Sequence, residues 1–264
     1  MISRTIVLSP EFVLSCVRDL IQDPSPLLRI DRFRLNLTKQ RLQESLADSS
    51  GQLKAFSQTD TSDMIENTIR HNVESLNPEI ALWRPMGLMG ALLSMDQVMN
   101  HMRDVKILII GPRTEQEILW YLSMGFNENN ITGLDLISYS DFVAIGDMHD
   151  MPFEDNSFDI IVFSWVLGYS VNQQKAVAEA VRCVKPNGLV GIGEQWDPQP
   201  ASVTSKIMQD NVGYALEGTE TKSTDDLLKL FEPCAIKPRF INEPIDSQKD
   251  RIGHISVIVE VQGK

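Results

Sequence analysis

Cysteine is scarce in this chain. Cys16, Cys183 and Cys234 are three in 264 residues and lie far apart. No two have metal-ligand spacing, so neither a zinc module nor a disulfide framework is expected, and buried free thiols in a reducing cytoplasm are the default. Long apolar runs are missing too: no stretch reaches the roughly 18 residues that a membrane-spanning helix needs. The early run Thr5-Ile6-Val7-Leu8 is cut by Ser9-Pro10-Glu11 too soon for a signal peptide. Positive charge is in deficit. Lys and Arg number 24 against 36 Asp and Glu, a net charge of −12, and the acid excess is concentrated in residues 101–200. Such a surface repels phosphate backbones, so neither nucleic acid nor membrane is expected as a partner. One further scarcity is local. Val105 to Glu117 reads V-K-I-L-I-I-G-P-R-T-E-Q-E, with Gly111 alone where a phosphate-cradling loop is glycine-rich. A pyrophosphate needs close backbone N–H groups, so a nicotinamide-dependent oxidoreductase is disfavoured.

What is present divides at about residue 104. Residues 1–104 read as a mainly helical extension, and residues 105–264 as an α/β domain. Ser9-Pro10-Glu11 gives an N-cap and a proline at the first helical position. Phe12, Val13, Val17, Leu20 and Ile21 follow at helical spacing. Phe33, Leu35 and Leu37 alternate with polar residues and predict a short strand, followed by a helix over about 38–47. Met64, Ile65, Ile69, Val73 and Leu76 predict the inward face of another helix, and Leu88, Leu92, Met95 and Met99 a stripe on one over about 87–102.

From 105 short apolar strands alternate with helices, which predicts a doubly wound, mostly parallel sheet of Rossmann-like type. The predicted strands cover 106–110, 130–134, 142–145, 158–163 and 188–193, with helices over 114–124 and 173–184. Residues 236–241 and 254–261 read as a closing antiparallel pair. Asp135 ends the second strand, with Leu136 beside it, 24 residues after Gly111. A carboxylate there can accept both ribose hydroxyls of an adenosine. Asp147 follows the third strand. It can take an adenine amino group while the Met148 backbone N–H reaches a ring nitrogen.

The run G-D-M-H-D-M-P-F-E-D-N-S-F-D-I-I-V-F-S-W-V-L, followed by E-A-V-R-C-V-K-P-N-G-L-V, resembles class I S-adenosylmethionine-dependent methyltransferases over about residues 105–197. The resemblance implies a seven-stranded sheet with its last strand antiparallel and S-adenosylmethionine as cofactor. It implies ribose binding by Asp135, adenine binding by Asp147 and Met148, and Ser164-Trp165 at the mouth of the fourth strand. Lys185-Pro186-Asn187-Gly188 looks like the family's turn into the fifth strand, with glycine at positive φ.

The departures lie in the first motif. Ile109 stands where the family usually has an acid, and Arg113 and Glu115 stand where further glycines are typical. Gly111 still allows close backbone approach. Arg113 can pair with the ligand carboxylate, and Glu115 or Glu117 with its ammonium. Alternatively the three form a solvated first helical turn, its acids favoured by the helix dipole.

For an acceptor that must lose a proton, candidate bases are Tyr169, Glu194 and Asp197 at the strand mouths and His71 and His101 in the extension, with His149 a weaker candidate. Trp165 and Trp196 flank the expected mouth. Metal-dependent members place carboxylates at strand ends where this chain has Ser164, so no metal is expected. Met86, Met89, Met95, Met99 and Met102 either line an acceptor pocket, pack the extension on the sheet or form a homodimer face. The expected function is methyl transfer to a small-molecule acceptor by direct in-line displacement, in the cytoplasm. The alternative is a non-catalytic ligand-binding or partner module on the same fold.

Overall fold

Period-two alternation decides the centre of the molecule. In β2 (Ile107–Ile110), Leu108 and Ile110 enter one apolar cluster and Ile107 and Ile109 the other, and all four are buried. The same alternation runs through β6 (Phe158–Ser164), where Phe158, Ile161 and Phe163 face one side and Ile160 and Val162 the other. A strand apolar on both faces must lie inside a sheet covered by helices on both sides. Each fully buried side chain of this size contributes about 1.5–3 kcal/mol.

The computed structural model describes residues 9–48, 54–57, 63–74, 86–170, 172–196, 221, 223–244 and 253–263. Its strands are β1 (Lys54–Ala55), β2, β3 (Ile131–Asp135), β4 (Ile137–Ser138), β5 (Val143–Ile145), β6, β7 (Val184–Trp196), β8 (Ile236–Asn242) and β9 (Gly253–Val261). Seven form one sheet in the order β5-β3-β2-β6-β7-β9-β8. Only β9 runs against the others, inserted between β7 and β8. The predicted antiparallel closing pair is therefore present. β1 and β4 form a separate two-stranded ladder.

The helices are α1 (Pro10–Gln22), α2 (Asp31–Asp48), α3 (Asp63–Glu74), α4 (Met86–Leu93), α5 (Asp96–Met99), α6 (Gln116–Met124), α7 (Gln173–Cys183) and α8 (Thr224–Lys229). α4, α5 and α6 cover one face of the sheet through Leu88, Leu92, Val98, Ile118 and Tyr121. α7 and α8 cover the other through Ala176, Val177, Ala180 and Leu227. Chain order reverses between β2 and β6, which opens a crevice at their carboxyl ends.

Several expectations change. The strand predicted at 33–37 is the first part of α2. Its buried residues are Arg34, Thr38 and Leu42, an i, i+4, i+8 stripe that three alternating apolar residues concealed. Arg34 lies with its guanidinium carbon 3.6 Å from the centroid of Trp120 on α6. The helix expected over 87–102 breaks at Met95, whose extended backbone (φ −91°, ψ 129°) caps α5. Leu88 and Leu92 are buried, as are Met89 and part of Met95 and Met102, so methionines pack the extension on the sheet; Met99 is exposed. Val73, expected inward, is exposed, and so are Phe12, Val13, Val17 and Ile21 of α1. In the turn at 185–188 the left-handed residue is Asn187 (φ 63°), not Gly188. Gly188 is needed for closeness instead, since a Cβ there would stand 2.8 Å from the Asp159 carbonyl oxygen. No helix among the described residues is long and apolar enough to cross a membrane.

Candidate functional site

β2 stops because Gly111 turns into the left-handed region at φ 69°. Its N–H donates to the Leu134 carbonyl at 2.8 Å, tying the turn to β3. Arg113 also has positive φ, 51°. The backbone conformation suited to glycine is therefore kept at 113 although glycine is not, at a cost of about 1–3 kcal/mol. That conformation aims the Arg113 N–H at Asp135 Oδ2, 2.8 Å away. Asp135 closes β3 and is 6% exposed. Burial pushes its carboxyl above the ordinary range, against the pull of the Arg113, Ile137 and Leu136 N–H groups.

Neither acid of the first helical turn is solvated, which corrects that expectation. Glu115 is 1% exposed and takes a two-point ion pair from Arg41 of α2, with one contact of 2.8 Å. It also accepts from the Ser140 hydroxyl, while its own N–H donates to Tyr139 Oη at 3.0 Å. Glu115 is thus committed to holding α2 and the loop after β3, and does not face a ligand ammonium. Glu117 is 6% exposed and accepts from Ser164 Oγ at 2.5 Å, across the crevice between β2 and β6. The acid missing at 109 would have had to enter the apolar cluster under α6, where Ile109 is fully buried.

Over Gly111 lies Val166. A Cβ on Gly111 would come within 2.3 Å of Val166 Cγ2, so only glycine fits and Val166 fills the space above it. Trp165 (φ 57°) starts this turn, its N–H bonded to the Gly193 carbonyl at 2.8 Å. Its ring lies near Gly193 and Gly87 on the α4 face, 6.0 Å from the His254 ring centroid. Trp196 packs against the opposite apolar cluster, so the two tryptophans do not wall one mouth.

Glu194, near the end of β7 and 8% exposed, accepts from the Gly168 N–H at 3.1 Å. Tyr169, next in that turn, stacks against His71 of α3 with ring centroids 6.0 Å apart. These three come together at the carboxyl ends of β6 and β7. His101 does not join them. It is exposed in the turn before β2, at the amino end of the strand. Asp197 and most of 201–230 lie outside the described residues.

On the β5 side, Gly146 leads into Asp147. Asp147 Oδ1 accepts from the His149 N–H at 2.9 Å and meets His149 Nδ1 at 2.6 Å. Burial pushes the Asp147 carboxyl up, but these bonds and the charges of His149 and Lys175 outweigh it and hold it below the ordinary range. His149 Nε2 stands 2.6 Å from Ser170 Oγ. Met148 is half-buried against the core, and Leu136 is half-buried with its carbonyl taken by the Phe56 N–H at 2.8 Å. Sequence reasoning missed Arg41, Ser140, Val166 and Ser170. Nothing in their local pattern marks them, because each acts through a contact distant in sequence.

Residues 108–192 match the family described as "Methyltransferase domain". A demethylmenaquinone methyltransferase of Paenarthrobacter aurescens (strain TC1) is 44% identical over 54 residues, 20% of this chain, and the match spans about a fifth (21%) of that protein's length. Among solved structures, the Burkholderia thailandensis 1,6-didemethyltoxoflavin-N1-methyltransferase, with bound 1,6-didemethyltoxoflavin and S-adenosylhomocysteine, superposes with a TM-score of 0.53 at 8% identity. That match covers 80% of this chain and 95% of the other. A chain from the complex between the Haloferax volcanii Trm112 methyltransferase activator and a methyltransferase also gives a TM-score of 0.53, at 13% identity over 78% of this chain and all of that one. At such identities the likeness shows the fold, which the sheet order shares. The match over residues 108–192 is to a methyltransferase domain, and the sheet order and the motif order from Gly111 to Gly188 are similar to those of class I S-adenosylmethionine-dependent methyltransferases.

Proposed function

We propose that this protein binds S-adenosylmethionine at the carboxyl ends of β2, β3 and β5 and passes its methyl group to a small-molecule acceptor. The observation that carries this reading is Asp135, a buried carboxylate at the strand end beside a left-handed glycine turn. Ribose hydroxyls are the donors that such a carboxylate suits. Asp147 and the Met148 N–H take the adenine edge. Bound there, the ligand supplies a sulfonium methyl with a good leaving group. The chain's task is then orientation, which can lower a barrier by several kcal/mol. Glu194, held by the Gly168 N–H, is the group best placed to take a proton from the acceptor, with Tyr169 beside it.

The two ends of the site differ in fit. Asp135 and Asp147 support the adenosine end, whereas Val166 covers Gly111 and the Ser164–Glu117 bond spans the crevice where a methionine tail belongs. Seating the tail requires the turn at 165–169 to shift. That packing also supports a second reading, a non-catalytic ligand-binding or partner module. Isothermal titration of the full chain with S-adenosylmethionine and S-adenosylhomocysteine tests the first reading: both bind, and Asp135→Ala weakens both at least tenfold. Binding of neither refutes it. Binding without release of S-adenosylhomocysteine from any acceptor supports the second.

A further inference from the structure

Asp147, placed above on the adenine edge, is joined to His149 and Ser170 in a continuous hydrogen-bonded chain whose last two members the proposed transfer does not use. Its links are 2.6 Å from Asp147 Oδ1 to His149 Nδ1 and 2.6 Å from His149 Nε2 to Ser170 Oγ. The order is that of a nucleophilic triad, but Ser170 is fully buried and its oxygen already accepts the Asn172 N–H at 3.1 Å. A nucleophile must reach its substrate, and Ser170 is presented to none. What the chain does fix is direction. The Nδ1–H donates to Asp147 and Nε2 is hydrogen-bonded to the Ser170 hydroxyl, so both ring nitrogens are satisfied. The imidazole is held at both ends between the loop after β5 and the turn before α7.

The consequence falls on Asp147. Both of its bonds from His149 land on Oδ1. Oδ2 makes no hydrogen bond among the described residues, and the side chain keeps 18% exposure. A carboxylate pinned through one oxygen presents the other at a set angle. We propose that His149 is a positioning residue that aims Asp147 Oδ2 at the exocyclic amino group of the ligand's purine, and that the Ser170–His149–Asp147 chain thereby selects a 6-aminopurine over a 6-oxopurine. An amino group donates to Oδ2. A carbonyl in its place sets oxygen against oxygen, which costs more the less the acid can turn away. This inference rests on reading the site as an adenosine site.

The test is isothermal titration of the full chain with S-adenosylhomocysteine and with S-inosylhomocysteine, which carries a carbonyl in place of the amino group. The wild-type protein prefers the amino ligand at least tenfold. His149→Asn keeps most of that preference, because its amide N–H sits near the Nδ1 position and still reaches Asp147. His149→Gln places its amide toward Ser170 instead, and its preference falls to within threefold while both ligands still bind, which shows that the variant is folded. Should His149→Gln not fold, Ser170→Ala, which frees the far end of the ring, lowers the preference at least threefold. A wild-type preference below threefold, an undiminished preference in His149→Gln or Ser170→Ala, or an equal loss for both ligands in the variants overturns the positioning role. Binding of neither ligand to the wild-type protein overturns the adenosine reading, and this inference with it. Equal binding of the two overturns this inference alone.

Discussion

Burial and three backbone N–H groups pull the Asp135 carboxyl in opposite directions, and burial prevails, leaving its pKa above the ordinary range. The sign of the pH effect follows. The ionised form is costlier in the folded chain than in the unfolded one, so Asp135 detracts from stability above its raised pKa, and that cost disappears as pH falls through it. Ligand binding runs the other way, because ribose hydroxyls need an ionised acceptor. S-adenosylhomocysteine affinity is therefore expected to fall as pH drops through the raised pKa, starting above the usual aspartate range near about 4. Titrations from neutral pH down through the ordinary aspartate range check this, with Asp135→Asn as the flat control. An unchanged slope in Asp135→Asn would place the pH dependence elsewhere. Asp135 and Asp147 were legible in the sequence because a strand end fixes where a side chain goes. Glu115 and Glu117 were not, since an acid in a first helical turn ordinarily faces water and only a distant partner, Arg41 or Ser164, brings it inside. The left-handed Arg113 was hidden for a related reason: its conformation is imposed by Asp135, not by its own residue type.

Helix α2 shows the same dependence on distant partners. Its apolar residues at 33, 35 and 37 alternate like a strand, yet what it buries is Arg34, Thr38 and Leu42. A hydrophobic pattern cannot announce a helix whose inner face is half polar: Arg34 is buried against Trp120 while its guanidinium donates to Asp31 and to the Leu28 carbonyl. The central strands of the large sheet were legible to within a few residues, because β2, β6 and β7 are buried almost throughout. α2 meets α6 through Arg41 and Glu115. Removing one partner of a buried ion pair costs about 3–5 kcal/mol. Arg41 is partly in water, which discounts the figure to about 1–3 kcal/mol. Arg41→Met should lower the unfolding free energy measured by urea titration by that amount. Glu115→Gln added to it should recover part of the loss, since no buried charge then remains unpaired. An additive double variant would show that the pair does not couple.

Contacts from residues 29–56 converge on the elements that build the adenosine end of the site. Arg34 covers Trp120, Arg41 holds Glu115, and Ser45 Oγ donates to the Tyr139 carbonyl at 2.8 Å. β1 pairs with β4 directly after Asp135, and the Phe56 N–H binds the Leu136 carbonyl. An extension used only to cover an acceptor would touch the carboxyl ends of β6 and β7. Residues 29–56 instead brace α6 and the loop after β4, while α3 reaches those ends through His71. Deleting residues 1–57 should therefore lower stability and ligand affinity together. A desolvated cation–π contact of about 2 kcal/mol and the discounted ion pair give roughly 3–5 kcal/mol. At about 2–4 °C per kcal/mol for a chain of this size, the thermal midpoint should fall by about 10 °C. Calorimetry and S-adenosylhomocysteine titration of the deletion variant decide the matter. A midpoint and an affinity both equal to those of the full chain would make the first 57 residues an independent appendage. A lower midpoint with unchanged affinity would confine their role to stability. A fall in both is what contacts on either side of Asp135 require.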